Sequence, residues 1–164
     1  MVAALSVDEI WECLRQIPDP EIPALSIVDL GIVRDVEMHA DQVTVTITPT
    51  YSGCPAMELI AAEIESHLRA RGVAALRLET KLSPPWTTDW LSEEAKQRLR
   101  EYGIAPPGRL VPLTAIAPSA APHVTCPHCG SDRVTLVSRY GSTLCKALYK
   151  CLSCLEPFDA FKSH

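Results

Sequence analysis

Little in this 164-residue chain points to a membrane, a fibre or an unstructured tail. No run approaches the roughly 18 uninterrupted apolar residues that a membrane span needs, and the opening MVAALSVDEI lacks the basic-then-apolar order of a secretory signal. Glycine is scarce at 7 residues, aromatic residues make up only 5%, and no internal repeat or low-complexity tract is visible. Collagenous, fibrous and disordered architectures are therefore excluded. What is present, 47% hydrophobic and 21% charged residues, describes a globular protein, expected in the cytoplasm.

Charge is unevenly spread. Residues 1–122 carry ten basic and seventeen acidic side chains, a balance of −7, while residues 123–164 carry five and three, a balance of +2. Seven cysteines are unusual for a compartment in which structural disulfides are rare, so metal binding or thiol chemistry must account for them. The 14 prolines cluster partly in residues 104–122, IAPPGRLVPLTAIAPSAAP, which read as an extended linker. The expected division is a main domain over 1–103, a Pro-rich linker over 104–122 and a Cys-rich domain over 123–164.

The main domain reads as αββαβα, an α+β fold with one sheet and helices packed on a face. A capping box, Ser6 with Glu9, starts a first helix carrying Val7, Ile10, Trp11 and Leu14 on one face, and Pro18 and Pro20 end it. Residues 32–38 and 43–48 alternate or are β-branched and predict a hairpin closed by residues 39–42. A helix over 55–71 turns Met57, Ile60, Ile64 and Leu68 inward and stops at Gly72. A third strand over 75–82 and a helix over 91–102, with Leu91, Ala95, Leu99 and Tyr102 on one side, complete the domain.

In the tail, Cys126-Pro-His-Cys129-Gly and Cys151-Leu-Ser-Cys154 form two C-x₂-C knuckles 21 residues apart. Two intervening residues let one tight turn aim both sulfurs at one ion, and four thiolates suit tetrahedral Zn²⁺. A tail with so few large apolar residues also needs a metal to be stable. The spacing predicts a four-cysteine zinc ribbon with strands near 134–137 and 147–149; paired redox dithiols, a labile disulfide pair and an iron–sulfur cluster are the alternatives. His123, His128 and Cys145 are nearby spare donors, read as surface or packing residues. Cys145 stands beside Lys146, a neighbour that lowers a thiol pKa, so its role stays open.

Cys13 falls in the first helix and reads as packing. Cys54 is different: Thr48-Pro-Thr-Tyr-Ser-Gly-Cys54-Pro55 links a strand to a helix and puts Cys54 at the expected N-cap, where unpaired N–H groups and the helix dipole favour thiolate. A reactive thiol and a small capping residue are equally compatible with that position. Asp19-Pro-Glu21-Ile-Pro23 holds two carboxylates in a turn, where they can serve the turn itself, a metal or a base.

Three segments, Asp19-Pro-Glu-Ile-Pro, Ser26-Ile-Val-Asp-Leu-Gly-Ile-Val and Thr48-Pro-Thr-Tyr-Ser-Gly-Cys54-Pro55, together resemble the SufT-type domain of iron–sulfur assembly and targeting proteins. With the Trp86–Trp90 segment, Gly141-Ser-Thr-Leu-Cys145-Lys146 and the Cys-rich end through Glu156-Pro-Phe-Asp-Ala-Phe, nearly the whole chain is similar to the D-component family of bacterial phenylacetate degradation (PaaD, also labelled PaaJ). The resemblance implies an accessory role with the phenylacetyl-CoA ring epoxidase, a di-iron oxygenase served by a flavin and [2Fe–2S] reductase. The D component would help mature or insert an iron–sulfur centre without turning over substrate. Carried over residue by residue, it makes Cys54 the reactive cysteine and Asp19 and Glu21 the acidic motif. Zinc is then the resident metal, iron or a cluster a transient cargo, and the reductase or oxygenase components the partners. Homodimerisation stays open.

Two readings of other classes compete. Arg133, Arg139, Lys146, Lys150 and Lys162 would give the ribbon a nucleic-acid-binding or adaptor role, which the −7 body opposes. A cysteine hydrolase would need a histidine base, but His39 lies in the hairpin turn and His67 is about 20 Å along the helix from Cys54.

Overall fold

A computed structural model describes residues 5–108 and 123–162, and the Pro-rich stretch 109–122 lies outside the described residues. The chain divides into two compact units, Met1–Trp86 and Thr87–His164.

In the first unit, α1 (Val7–Arg15) begins at the expected capping box. The Ser6 N–H donates to Glu9 Oε2 at 2.8 Å and the Glu9 N–H returns to Ser6 Oγ at 3.3 Å. These bonds satisfy two donors that a bare helix start leaves unpaired, and they hold the Glu9 carboxyl below its usual range. Strands β1 (Val33–His39) and β2 (Gln42–Ile47) form the hairpin, with His39 opposite Gln42 at its closed end. Helix α2 (Ala56–Ala70) then crosses over to β3 (Ala75–Thr80), which pairs parallel to β2, giving a sheet of order β1-β2-β3. A parallel pair needs such a crossover, and it leaves the β2-to-α2 loop at the carboxyl end of the central strand, where loops are free to carry function. Ile60, Ile64 and Leu68 recur on one face of α2 and are buried with Ile10, Leu14, Val45 and Ile47. Full burial of each such side chain contributes about 1.5–3 kcal/mol.

Residues 17–33 are non-repetitive yet buried, because nearly every second residue is a large aliphatic: Ile17, Ile22, Leu25, Ile27, Leu30 and Ile32 are each at most 2% exposed. Their amides are used within the segment and on its neighbours. Ile27 N–H donates to Ile17 O, Asp19 N–H to Leu25 O, and Thr48 N–H to Ile32 O at 2.8 Å. The Trp86 indole N–H closes the unit on Leu30 O at 2.9 Å.

The second unit corrects the expected domain boundary. Helix α3 (Glu93–Glu101) is capped by Ser92, buries Ala95 and Leu99, and passes through Gly103 at φ +86° into β4 (Ile104–Ala105). Strand β4 pairs parallel with β7 (Pro157–Phe161), so residues 104 and 105 are sheet rather than linker and α3 belongs with the Cys-rich unit. Backbone pairing decides this, and it involves partners more than fifty residues apart. Tyr102 is exposed and does not share the inward face expected for it. Antiparallel β5 (Val134–Ser138) and β6 (Lys146–Cys151) complete a sheet of order β4-β7-β6-β5. No helix among the described residues is long and apolar enough to cross a membrane.

Candidate functional site

The second unit gathers Cys126, Cys129, Cys151 and Cys154. Their sulfurs all lie within 4.8 Å of one another, with Cys126 to Cys154 at 3.7 Å and Cys129 to Cys151 at 3.6 Å. All four are free thiols, and these separations are far beyond the roughly 2.05 Å of a disulfide. A tetrahedral ion with metal–sulfur bonds of about 2.3 Å would need edges of about 3.8 Å. Four soft donors at that spacing fit a metal ion, and their role there would be to crosslink two loops.

Each knuckle is shaped by the residue after its second cysteine. Gly130 sits at φ +73° and Leu155 at φ +67°, the left-handed conformation that lets the chain turn its amides back toward the sulfurs. Ser153 N–H and Cys154 N–H donate to Cys151 Sγ at 3.3 and 3.4 Å. The Cys154 amide is the main reason the Cys151 thiol is lowered to about 6. The Glu156 amide pulls on Cys154, but burial and the thiols of Cys151, Cys129 and Cys126 push it up to about 12. Cys151 ionises readily and Cys154 then resists, which is the electrostatic problem a bound dication resolves. Ser131 and Ser153 hydroxyls meet at 2.9 Å and join the knuckles directly.

The three spare donors stay apart from this cluster. His128 packs edge-on to Phe158, with ring centroids 6.4 Å apart, and His123 is exposed. Cys145 is 2% exposed and lies 3.0 Å from Thr143 Oγ1. Burial removes the access that a reactive thiol needs and favours the packing reading of Cys145. Lys146 is itself buried and so does not add to a basic surface.

In the first unit the structure brings the Asp19 turn and the Cys54 loop together. Asp19 is 3% exposed, and its Oδ1 accepts the amides of Glu21 at 2.9 Å and Ile22 at 2.7 Å, so this carboxylate builds the turn that presents Glu21. Thr48 and Thr50, both buried, anchor the loop after β2, and Cys54 N–H closes it on Tyr51 O at 3.2 Å. Cys54 is half-buried. It precedes the N-cap, which is Pro55.

The expected depression of the Cys54 pKa by the helix terminus does not hold. Burial pushes the thiol up, and the charges of Glu21 and Asp19 add to that; the Ala56 amide and the neighbouring Tyr51 side chain pull the other way and lose. The thiol therefore stays protonated near neutral pH, beside two carboxylates that favour a cation. Tyr51 carries no signal of this influence in the sequence; the turn, closed by the Cys54 N–H on Tyr51 O, brings it beside the thiol. His39 and His67 are not brought to Cys54, being held beside Glu37 at 3.8 Å and Glu63 at 3.5 Å.

Comparison with known proteins fits this division. Residues 7–74 match the family described as iron-sulfur cluster assembly protein, and residues 114–162 match the PaaD zinc beta ribbon domain. An Escherichia coli protein named as the D component of 1,2-phenylacetyl-CoA epoxidase is 48% identical over 161 residues, 98% of this chain and 95% of that protein. The chain belongs to the PaaD family. An Fe-S protein maturation auxiliary factor of Porphyromonas gingivalis is 36% identical over 94 residues, 56% of this PaaD-family chain and 89% of that protein. The crystal structure of a domain of unknown function, DUF59, from Bacillus anthracis superposes with a TM-score of 0.53 at 28% identity, covering 57% of this chain and 90% of that one. The PaaD-family chain thus joins an iron–sulfur assembly fold to a cysteine cluster of the zinc-ribbon type.

Proposed function

We propose that this chain is a non-catalytic maturation factor that serves an iron–sulfur centre of the phenylacetyl-CoA epoxidase complex. The convergence of Cys54 with Glu21 and Asp19 at the carboxyl end of β2 carries the reading. A thiol kept protonated mainly by burial, with two carboxylates adding to it, is a poor nucleophile and a reversible metal ligand: a cation entering beside Glu21 displaces the proton, and reprotonation favours release. Holding cargo weakly and then handing it on suits an assembly factor. Iron, alone or in a cluster, is the cargo, Glu21 its electrostatic counter-charge and Asp19 the positioning residue. Cys126, Cys129, Cys151 and Cys154 would hold a structural zinc that keeps the second unit folded, and the oxygenase or reductase components are the clients. Names of full-length and domain relatives support this reading, in the epoxidase component and the Fe-S maturation factors.

The test is an in-cell comparison of wild type and Cys54→Ala. The variant is expected to lower the iron–sulfur content of the epoxidase complex and its activity while retaining zinc in the ribbon. Unchanged cluster content with Cys54→Ala would refute the assignment.

A further inference from the structure

We propose that a groove on the β5–β6 face of the second unit is a docking site for an acidic, apolar-bearing extended segment of a partner protein. The groove, about 270 Å³, is lined by Leu136, Arg139, Tyr140, Ala147, Tyr149 and Lys162. Leu136 stands opposite Tyr149 across the β5–β6 pair, and Ala147 lies two residues from Tyr149, so all three occupy one face of the sheet.

Leu136 and Tyr140, two of the lining side chains, are large hydrophobics left exposed. Of the nine large hydrophobic side chains exposed among the described residues, seven belong to the second unit, and Leu136, Val137, Tyr140 and Leu144 lie in β5 or the loop that follows it. Leu136 and Tyr140 with the neighbouring Val137 and Leu144 put four exposed apolar side chains within nine residues, a local cluster of the kind that marks an interaction site. The floor is also rigid: Tyr149 stacks on the buried Phe158 ring, with centroids 6.0 Å apart and planes 19° apart. Tyrosine and arginine on a fixed floor are the side chains that dominate binding energy at protein interfaces.

Charge selects the occupant. The lining holds two cations and no carboxylate. Lys162 is held in place, its Nζ donating to Leu144 O at 2.7 Å and standing 4.9 Å over the Tyr140 ring. The nearby Asp159 carboxylate accepts from the Ser142 hydroxyl at 2.6 Å and sits opposite Leu148, on the other face of the sheet. A segment alternating acidic with aliphatic or aromatic residues would set its charges on Arg139 and Lys162 and its apolar side chains on Leu136 and Tyr149. β5 is the edge strand, so the backbone groups turned away from β6 can align such a segment as an added strand. A nucleic acid is disfavoured because two cations over an apolar floor are few for a phosphate chain and Lys146 is buried. This surface is independent of the Cys54 chemistry.

The experiment is a ¹⁵N NMR titration of the full zinc-loaded chain with three probes. They are a synthetic peptide alternating Asp or Glu with Leu or Phe, the same peptide with Lys at every acidic position, and a uridine octamer. The acidic peptide is expected to shift residues of β5, the Ala147–Tyr149 face and Lys162, with affinity falling about ten-fold in Arg139→Glu or Leu136→Asp. Zinc stoichiometry checks that these surface variants remain folded, and the wild-type titration stands without them. No shift at about 1 mM acidic peptide, equal binding of the lysine peptide, preference for the uridine octamer, or the same shifts on concentrating the chain alone would each overturn the proposal.

Discussion

The first unit buries Ile10, Leu14, Ile22, Leu25, Leu30, Ile60, Ile64 and Leu68 almost completely, whereas the core cluster of the second consists of Ala105, Val124, Cys126, Cys151, Phe158 and Ala160. Two of those six are metal-ligand candidates, so in the second unit the core and the cysteine cluster are one structure. The first unit can spare a cysteine for chemistry because its aliphatic side chains already supply the burial. The second cannot, and its knuckle thiols are committed to holding the sheet. Access divides the remaining cysteines: Cys54 is half-buried in a loop, while Cys13 and Cys145 are buried.

Chelation offers the largest way to break this comparison. Removing the ion, or replacing Cys151 with serine, is expected to unfold the second unit and leave the first folded, because structural zinc supplies on the order of 10 kcal/mol of folding energy. Zinc analysis with residue-resolved NMR checks this; loss of both units together would show that the two are energetically one. A smaller effect sharpens the account of the knuckles. Leu155 holds the left-handed conformation that Gly130 occupies at the matching place in the other knuckle. Leu155→Gly is therefore expected to stabilise the zinc-bound second unit by about 1 kcal/mol, read as a rise in its melting temperature, with no change in the first. No stabilisation would mean that the exposed Leu155 side chain contributes as much as its backbone costs.

The smallest effect concerns the first unit. Glu21→Gln removes a charge that raises the Cys54 pKa. A raised thiol pKa means slow alkylation at neutral pH that accelerates as pH rises, so losing the charge should shift the Cys54 alkylation profile to lower pH. About two- to five-fold faster labelling at pH 8 is expected, an effect that weakens with salt. An unshifted profile would separate Glu21 from the thiol. The comparison would then rest on burial alone.

Much of this was legible in the chain. The Ser6–Glu9 box, the 3.6-residue repeat of Ile60, Ile64 and Leu68, and the β-branched run of β2 are local signals, written within one or two turns of backbone. The knuckle cysteines were legible for the same reason: C-x₂-C spacing encodes a turn. Helix α3 was legible as a helix but not as part of the second unit, since its allegiance depends on β4 finding β7 across the Pro-rich stretch. Cys54 shows the same limit. Its place ahead of a helix was readable, but the sign of its pKa shift was not, because burial and the charges of Glu21 and Asp19 come from a segment more than thirty residues earlier.

By itself, then, the sequence determined most of the elements, though not β4 or β7, together with the four-cysteine cluster and the family, all of which rest on short-range patterns that survive without knowledge of the fold. Only the tertiary structure decided which unit owns α3, that Cys145 and Lys146 are buried, and that burial, with the acidic turn adding to it, raises the Cys54 thiol pKa. Burial and through-space charge are sums over neighbours that the chain brings together only on folding.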